Sequence, residues 1–206
     1  MALSNNPGED RAWGLLAGLD PAVVCRKALV SYDADTRTYR VPSFGTGFTV
    51  SGKTKSISGT NQGSDALLEK LGQFFRLSLV WYLVSAKDIE ETGRLVALGG
   101  VRGGEIFSKG SHVLPLGSLA RTYGRNRNGF VDKGKSLGGQ IVTLADSALR
   151  LLPLPRIPVV LALWLEDDEF PARTDLLFDS TCELQAATDI LWTVAMLSVV
   201  AMLEDA

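Results

Sequence analysis

The segment Pro153–Ser180, PLPRIPVVLALWLEDDEFPARTDLLFDS, constrains this chain more than any other. Prolines lead into an apolar run, Ile157–Leu165, which ends abruptly in Glu166, Asp167, Asp168 and Glu169. A run this short, β-branched at its start and bracketed by prolines, predicts a strand buried on both faces. The acids mark where the strand leaves the core. Phe170-Pro171 then turns the chain toward a partner strand at Thr174–Phe178.

The rest of the chain arranges itself around that strand. Residues 1–19 start polar and Pro/Gly-containing and read as a flexible N-terminal lead. Asp20-Pro21 opens a short helix with Pro21 in its first turn. Tyr39 and Val41, then Phe48 and Val50, alternate as strands do, and with Lys55–Ser58 they predict an antiparallel meander. Ser64 caps a helix over Asp65–Ser85 whose leucines and phenylalanines recur at helical spacing. Arg94–Phe107 reads as strand and turn, and Gly99–Gly104 as a bulge rather than a dinucleotide loop. Leu116–Tyr123 and Phe130–Leu137 are short helices, the second closed by Gly138-Gly139.

The last helix, Thr188–Leu203, is apolar around its circumference. It is too short and too flanked by acids to span a bilayer. Such a helix is either buried centrally or used as a homo-oligomer contact through 188–203. Strands cluster early and late without regular alternation with helices. The expected class is therefore α+β: residues 20–206 form a single domain, mostly antiparallel sheet, with a central buried strand and covering helices. A doubly wound parallel sheet is the alternative.

Composition narrows the function classes. The 206 residues are 46% hydrophobic, and 21 basic side chains face 23 acidic ones with no basic block. Nucleic-acid binding therefore has no electrostatic footprint. Cys25 and Cys182 lie far apart outside any CxxC pattern, so they read as small core residues. Met1–Gly14 has neither a positive start nor an apolar stretch, which gives an expected cytoplasmic location without membrane association.

Four features could carry chemistry. Gly47–Thr54, GFTVSGKT, fits a phosphate-binding loop letter for letter. In that reading Lys53 neutralises phosphates, Thr54 ligates magnesium, and Asp167 or Asp168 supplies a metal-binding acid. The following KSISGTNQG is a poor helix start, so the competing reading is a β-hairpin with an exposed Lys53. The acidic run 166–169 either ends an aggregation-prone strand as a solvated turn or offers oxygens to a hard cation. Strand alternation would let only Glu166 with Asp168, or Asp167 with Glu169, converge. His112, the only histidine, is a general base, a single metal ligand, or a structural partner near the start of the 116–123 helix. Arg121, Arg125, Arg127, Lys133 and Lys135 hold an anionic ligand or form a solvated face.

The expected ligand site joins these pieces. His112 meets the 166–171 turn, and both border a cavity with Trp164, Phe170 or Phe107. Its residues are His112, Trp164, Asp168, Glu169 and Phe170, with Lys53 and Thr54 as the alternative nucleotide site. Cofactor and metal are left open.

The helical LSLVWYLVSA, the segment GGEIFSKGSHVLPLGSLARTYGRNRNGF with LGG after it, the LPLPRIPVVLALWLEDDEFPARTDLLFDST block and the closing TDILWTVAMLSVVAML carry a family likeness. Together they resemble an uncharacterised domain-of-unknown-function family of anaerobic bacteria and archaea, loosely labelled as iron–sulfur cluster proteins. The resemblance covers most of the chain from about Tyr32 onward. It implies an accessory or binding role in anaerobic cofactor or corrinoid-linked metabolism. It points to His112, Trp164, Asp168, Glu169, Phe170, Pro171 and Asp179 as positions to test. The cysteine-rich segment of some relatives has no counterpart here, so the cluster does not carry over. Three functions result: a non-enzymatic binding or accessory protein for a small-molecule or protein partner, an NTP-binding enzyme, and an oligomeric module.

Overall fold

A computed structural model describes residues 7–105 and 112–203. The chain begins with helix α1 (Pro7–Ala17), where the sequence reads as a flexible lead. Ala12, Trp13 and Leu16 share one helical face and are buried, and α1 packs on the long helix described below. The polar start masks this short apolar face. Helix α2 (Pro21–Ala28) follows as expected, capped by the Asp20 carboxylate, which accepts from the Ala22 N–H at 2.9 Å.

The predicted meander forms. Strands β1 (Ser31–Asp33), β2 (Thr38–Ser43), β3 (Thr46–Ser51) and β4 (Ser56–Gly59) pair antiparallel in chain order. Tyr39, Val41, Phe48, Val50 and Ile57 are buried, as the alternation required. Phe48 sets its ring edge-on to Phe75 of helix α3 (Gln62–Ser85), with centroids 4.9 Å apart. That helix starts earlier than Ser64. Asn61 is the cap, and Ser64 is the third residue of a reciprocal capping box with it. Gly72, at φ +64°, kinks α3 mid-way.

Strand β5 (Leu95–Ala97) leads into a 3₁₀ turn at Leu98–Gly100. Helices α4 (Leu116–Tyr123) and α5 (Arg127–Ser136) come next, α5 starting before the expected Phe130 because the Asn126 side chain caps it. Strands β6 (Gln140–Ile141), β7 (Ser147–Leu154), β8 (Ile157–Trp164) and β9 (Arg173–Asp179) join β5 in a second antiparallel sheet, ordered β5-β9-β8-β7-β6. A one-turn helix α6 (Cys182–Gln185) and the apolar helix α7 (Thr188–Leu203) complete the described chain. The protein is thus α+β, with β8 in the middle of its sheet. The strands divide into two sheets rather than one.

A close backbone approach links the two sheets. The Phe44 N–H donates to the Leu152 carbonyl at 2.8 Å, and the Ser43 hydroxyl to the Pro153 carbonyl at 2.6 Å. Gly45 and Gly138, each at φ +71°, pass so closely that a Cβ on Gly138 would lie 2.4 Å from the Gly45 Cα. One face of the second sheet, with Leu149, Leu151, Val159, Leu161, Leu163, Leu176 and Phe178, belongs to the main core. Helix α7 lies within that core against α3, α4, α5 and β7. Beyond Asp189, its circumference is buried except for a half-exposed stripe at Trp192, Met196, Val200 and Leu203.

Candidate functional site

The opposite face of the second sheet has a small cluster of its own. Ala148, Val160 and Ala162 are buried there beneath Val142, Leu144, Leu177 and Trp164. Trp164 ends β8 and stands opposite Arg173, the first residue of β9. The Arg173 guanidinium carbon lies 4.0 Å from the Trp164 ring centroid, within the range of a cation–π contact. The hairpin register alone brings these two side chains together.

Residues 165–172 connect β8 to β9, and three anchors hold this turn. The Leu165 N–H donates to Asp146 Oδ2 at 2.8 Å, just ahead of β7. The Glu166 N–H donates to the Gly124 carbonyl at 3.0 Å at the end of α4. Within the turn, Asp167 Oδ1 accepts from the N–H groups of Glu169 at 2.9 Å and Phe170 at 2.7 Å, while the Asp167 N–H donates to the Phe170 carbonyl. Gly124 is required for the approach, since a Cβ there would sit 2.3 Å from the Ala172 Cβ.

Clefts lie on both sides of this turn. The larger, about 600 Å³, is lined by Asp146, Trp164, Leu165, Asp167, Phe170, Pro171, Ala172 and Arg173. The other, about 580 Å³, runs along α4 past Arg121, Arg125 and Glu166. There the Arg125 guanidinium donates to both oxygens of Glu166, and that paired charge holds the Glu166 carboxyl below the usual carboxylate range. In the first cleft, Asp146 and Asp167 each spend one oxygen on the backbone. The second oxygen of each has no protein partner among the described residues. Phe170 stands 66% exposed on the anchored turn. The cleft therefore offers an aromatic surface with unused carboxylate acceptors beside it.

The expected site is assembled only in part. Trp164 and Phe170 do line one cleft, and Asp168 and Glu169 sit exposed on the same turn. His112 does not join them. Its ring meets Trp192 edge-on at 5.5 Å, and its carbonyl accepts from Trp192 Nε1 at 2.6 Å. Thr174 binds the Leu116 carbonyl at the start of α4, whereas Glu166 binds Gly124 at its far end. His112 precedes the start of α4, packs against Trp192 of α7 and lines neither of the two clefts beside the turn. Phe107 falls outside the described residues. Asp146 and Arg173 were missed in the sequence, because a hairpin register and a sheet crossing place them, not a motif.

The GFTVSGKT segment forms β3 and the turn into β4. Thr54 donates its N–H to Ser51 Oγ, and its hydroxyl pairs with that of Ser56. The next helix starts only at Gln62, so Lys53 and Thr54 sit on a hairpin without the strand–loop–helix setting of a phosphate loop. Burial pushes the Cys182 thiol up to about 12, and Cys25 is also raised by burial, so neither is a thiolate at neutral pH. Asp179 is enclosed by the N–H groups of Thr92, Gly93 and Thr181 and by the hydroxyls of Thr92 and Thr181. Burial alone would raise its carboxyl, but these donors hold it below the usual range. Its role is to fix the segment ahead of β5 to the turn that follows β9. Among the described residues, no group of three or more His, Cys, Asp or Glu side chains is placed to hold a metal ion.

Residues 20–201 match the family described as Domain of unknown function (DUF3786). The chain belongs to the DUF3786 family. The match runs from the cap of α2 nearly to the end of α7, so the two sheets and the aromatic cleft lie within the DUF3786 region. No curated protein and no solved structure matches the chain. No helix among the described residues of this DUF3786 chain is long and apolar enough to cross a membrane.

Proposed function

We propose that this DUF3786 protein is a non-catalytic binding or accessory protein whose recognition site is the cleft at the β8–β9 turn. The ligand class is one that joins a flat apolar group to a positive charge. One observation carries this reading: Trp164 and Phe170 share the cleft with two carboxylates, Asp146 and Asp167, that each retain an unused oxygen. An exposed aromatic on an anchored turn costs little ordering to engage. Carboxylates that keep free acceptor sites favour a cationic donor over an anion. The wider setting of the proposal is cytoplasmic, and its place in anaerobic cofactor or corrinoid-linked metabolism rests on the family resemblance of the sequence.

Calorimetric titration of the full chain with benzamidine, and with the neutral benzamide as control, tests it. The reading expects saturable benzamidine binding that weakens at least about threefold in Phe170→Ala and in Asp146→Asn/Asp167→Asn, as loss of one aromatic or charge-assisted contact would give. Asparagine retains the side-chain oxygen that accepts the backbone bonds, so the turn keeps its anchors. Equal binding of benzamide, or variants indistinguishable from the parent chain, would overturn the assignment.

A further inference from the structure

The aromatic face in this cleft already carries a cation. The Arg173 guanidinium sits over Trp164, yet little else holds it: its side chain is 63% exposed, and its ion contact is Asp175 Oδ2 at 3.8 Å. Arg156 shows what a fixed arginine looks like in this fold. Its guanidinium is 7% exposed and donates to the carbonyls of Lys27, Arg26 and Ile89 and to Asp88. Trp164, by contrast, is packed on the Ala148–Val160–Ala162 cluster and so forms a fixed platform.

We infer that Arg173 is a built-in stand-in for the ligand: it covers the Trp164 face and swings away when an incoming cation takes its place. This rests on the cleft's being the recognition site, and it narrows the ligand class. A weakly hydrated, delocalised cation such as an amidinium or guanidinium competes best for an indole face already tuned to one. A compact, strongly hydrated ammonium competes poorly. Asp175, two residues along β9 on the same face of the strand, receives the displaced guanidinium. The cleft thus selects by exchange, since the ligand must outbid the protein's own arginine.

The test compares the full-length chain with Arg173→Ala and Arg173→Lys, titrated with benzamidine in about 0.5 M NaCl to screen long-range charge. Arg173→Ala is expected to bind between about twofold and thirtyfold more tightly, the span of a released cation–π contact. Arg173→Lys, which keeps the charge but holds the ring less well, should also bind more tightly than the parent chain. In the parent chain, the Arg173 Hδ protons start with the upfield shift imposed by the indole ring and lose it as benzamidine saturates. An unchanged or weakened Arg173→Ala, Arg173→Lys equal to the parent, or Hδ protons still shifted upfield at saturation would each overturn the exchange while leaving the cleft as the binding site. Absence of benzamidine binding in all three chains would overturn the underlying reading together with this one.

Discussion

The Tyr82 hydroxyl accepts the Arg156 backbone N–H at 3.0 Å and donates to the Ala28 carbonyl at 2.8 Å, tying the β7–β8 turn through α3 to the end of α2. All three groups are buried, and the Arg156 guanidinium adds bonds to the neighbouring α2 carbonyls of Arg26 and Lys27. Cations are favoured at a helix C-terminus, where carbonyls lack partners. Tyr82→Phe should therefore cost about 1–3 kcal/mol, because it strands a buried donor and a buried acceptor at once. Urea unfolding followed by far-UV circular dichroism measures this, and an unchanged midpoint would show that the link is idle.

Asp179 sets an acid limit. Its folded carboxyl titrates below its unfolded value, so the stability it contributes is complete above the ordinary aspartate range near about 4 and is lost as pH falls through the depressed folded value. Asp179→Asn should destabilise the protein at neutral pH, since its amide would face the Thr92 and Gly93 N–H donors with a donor of its own. The gap between the two chains should then narrow below about pH 4. A thermal-melt series across pH checks both parts. Parallel curves for the two chains at every pH would remove the role assigned to this carboxylate.

The contact between sheets at Gly45 and Gly138 permits no side chain. Gly138→Ala would combine a left-handed residue with an overlap on the Gly45 backbone. A loss of at least about 2 kcal/mol in chemical unfolding is expected, above the cost of the backbone conformation alone. A loss well below that would mean that the two sheets separate at little cost.

Much of this fold was legible because its strongest signals are local. Ile157–Trp164 carries an all-apolar run, and β8 is buried along nearly its whole length; Thr188–Leu203 is apolar all round, and α7 packs into the main core with one half-exposed stripe. Where two polar residues compete for a cap, as Asn61 and Ser64 do, composition cannot choose, and the capping box uses both. The short face of Ala12, Trp13 and Leu16 was hidden by polar neighbours. At the site, Trp164 and Phe170 were legible from the strand's end and its turn. Asp146 and Arg173 depend on which strands pair and in what register, and the place of His112 depends on its packing against Trp192 of α7. Such relations are long-range, and no window of sequence contains them.

The central claim, that the β8–β9 cleft is the recognition site, is tested most directly by amide chemical-shift mapping of the isotopically labelled full chain during benzamidine titration. The account predicts that the perturbed amides cluster at Asp146 and along Trp164–Arg173, while those of His112, Lys53 and Thr54 stay in place. Perturbations centred on His112 or on the Lys53-Thr54 turn, or none at saturating probe, would contradict it.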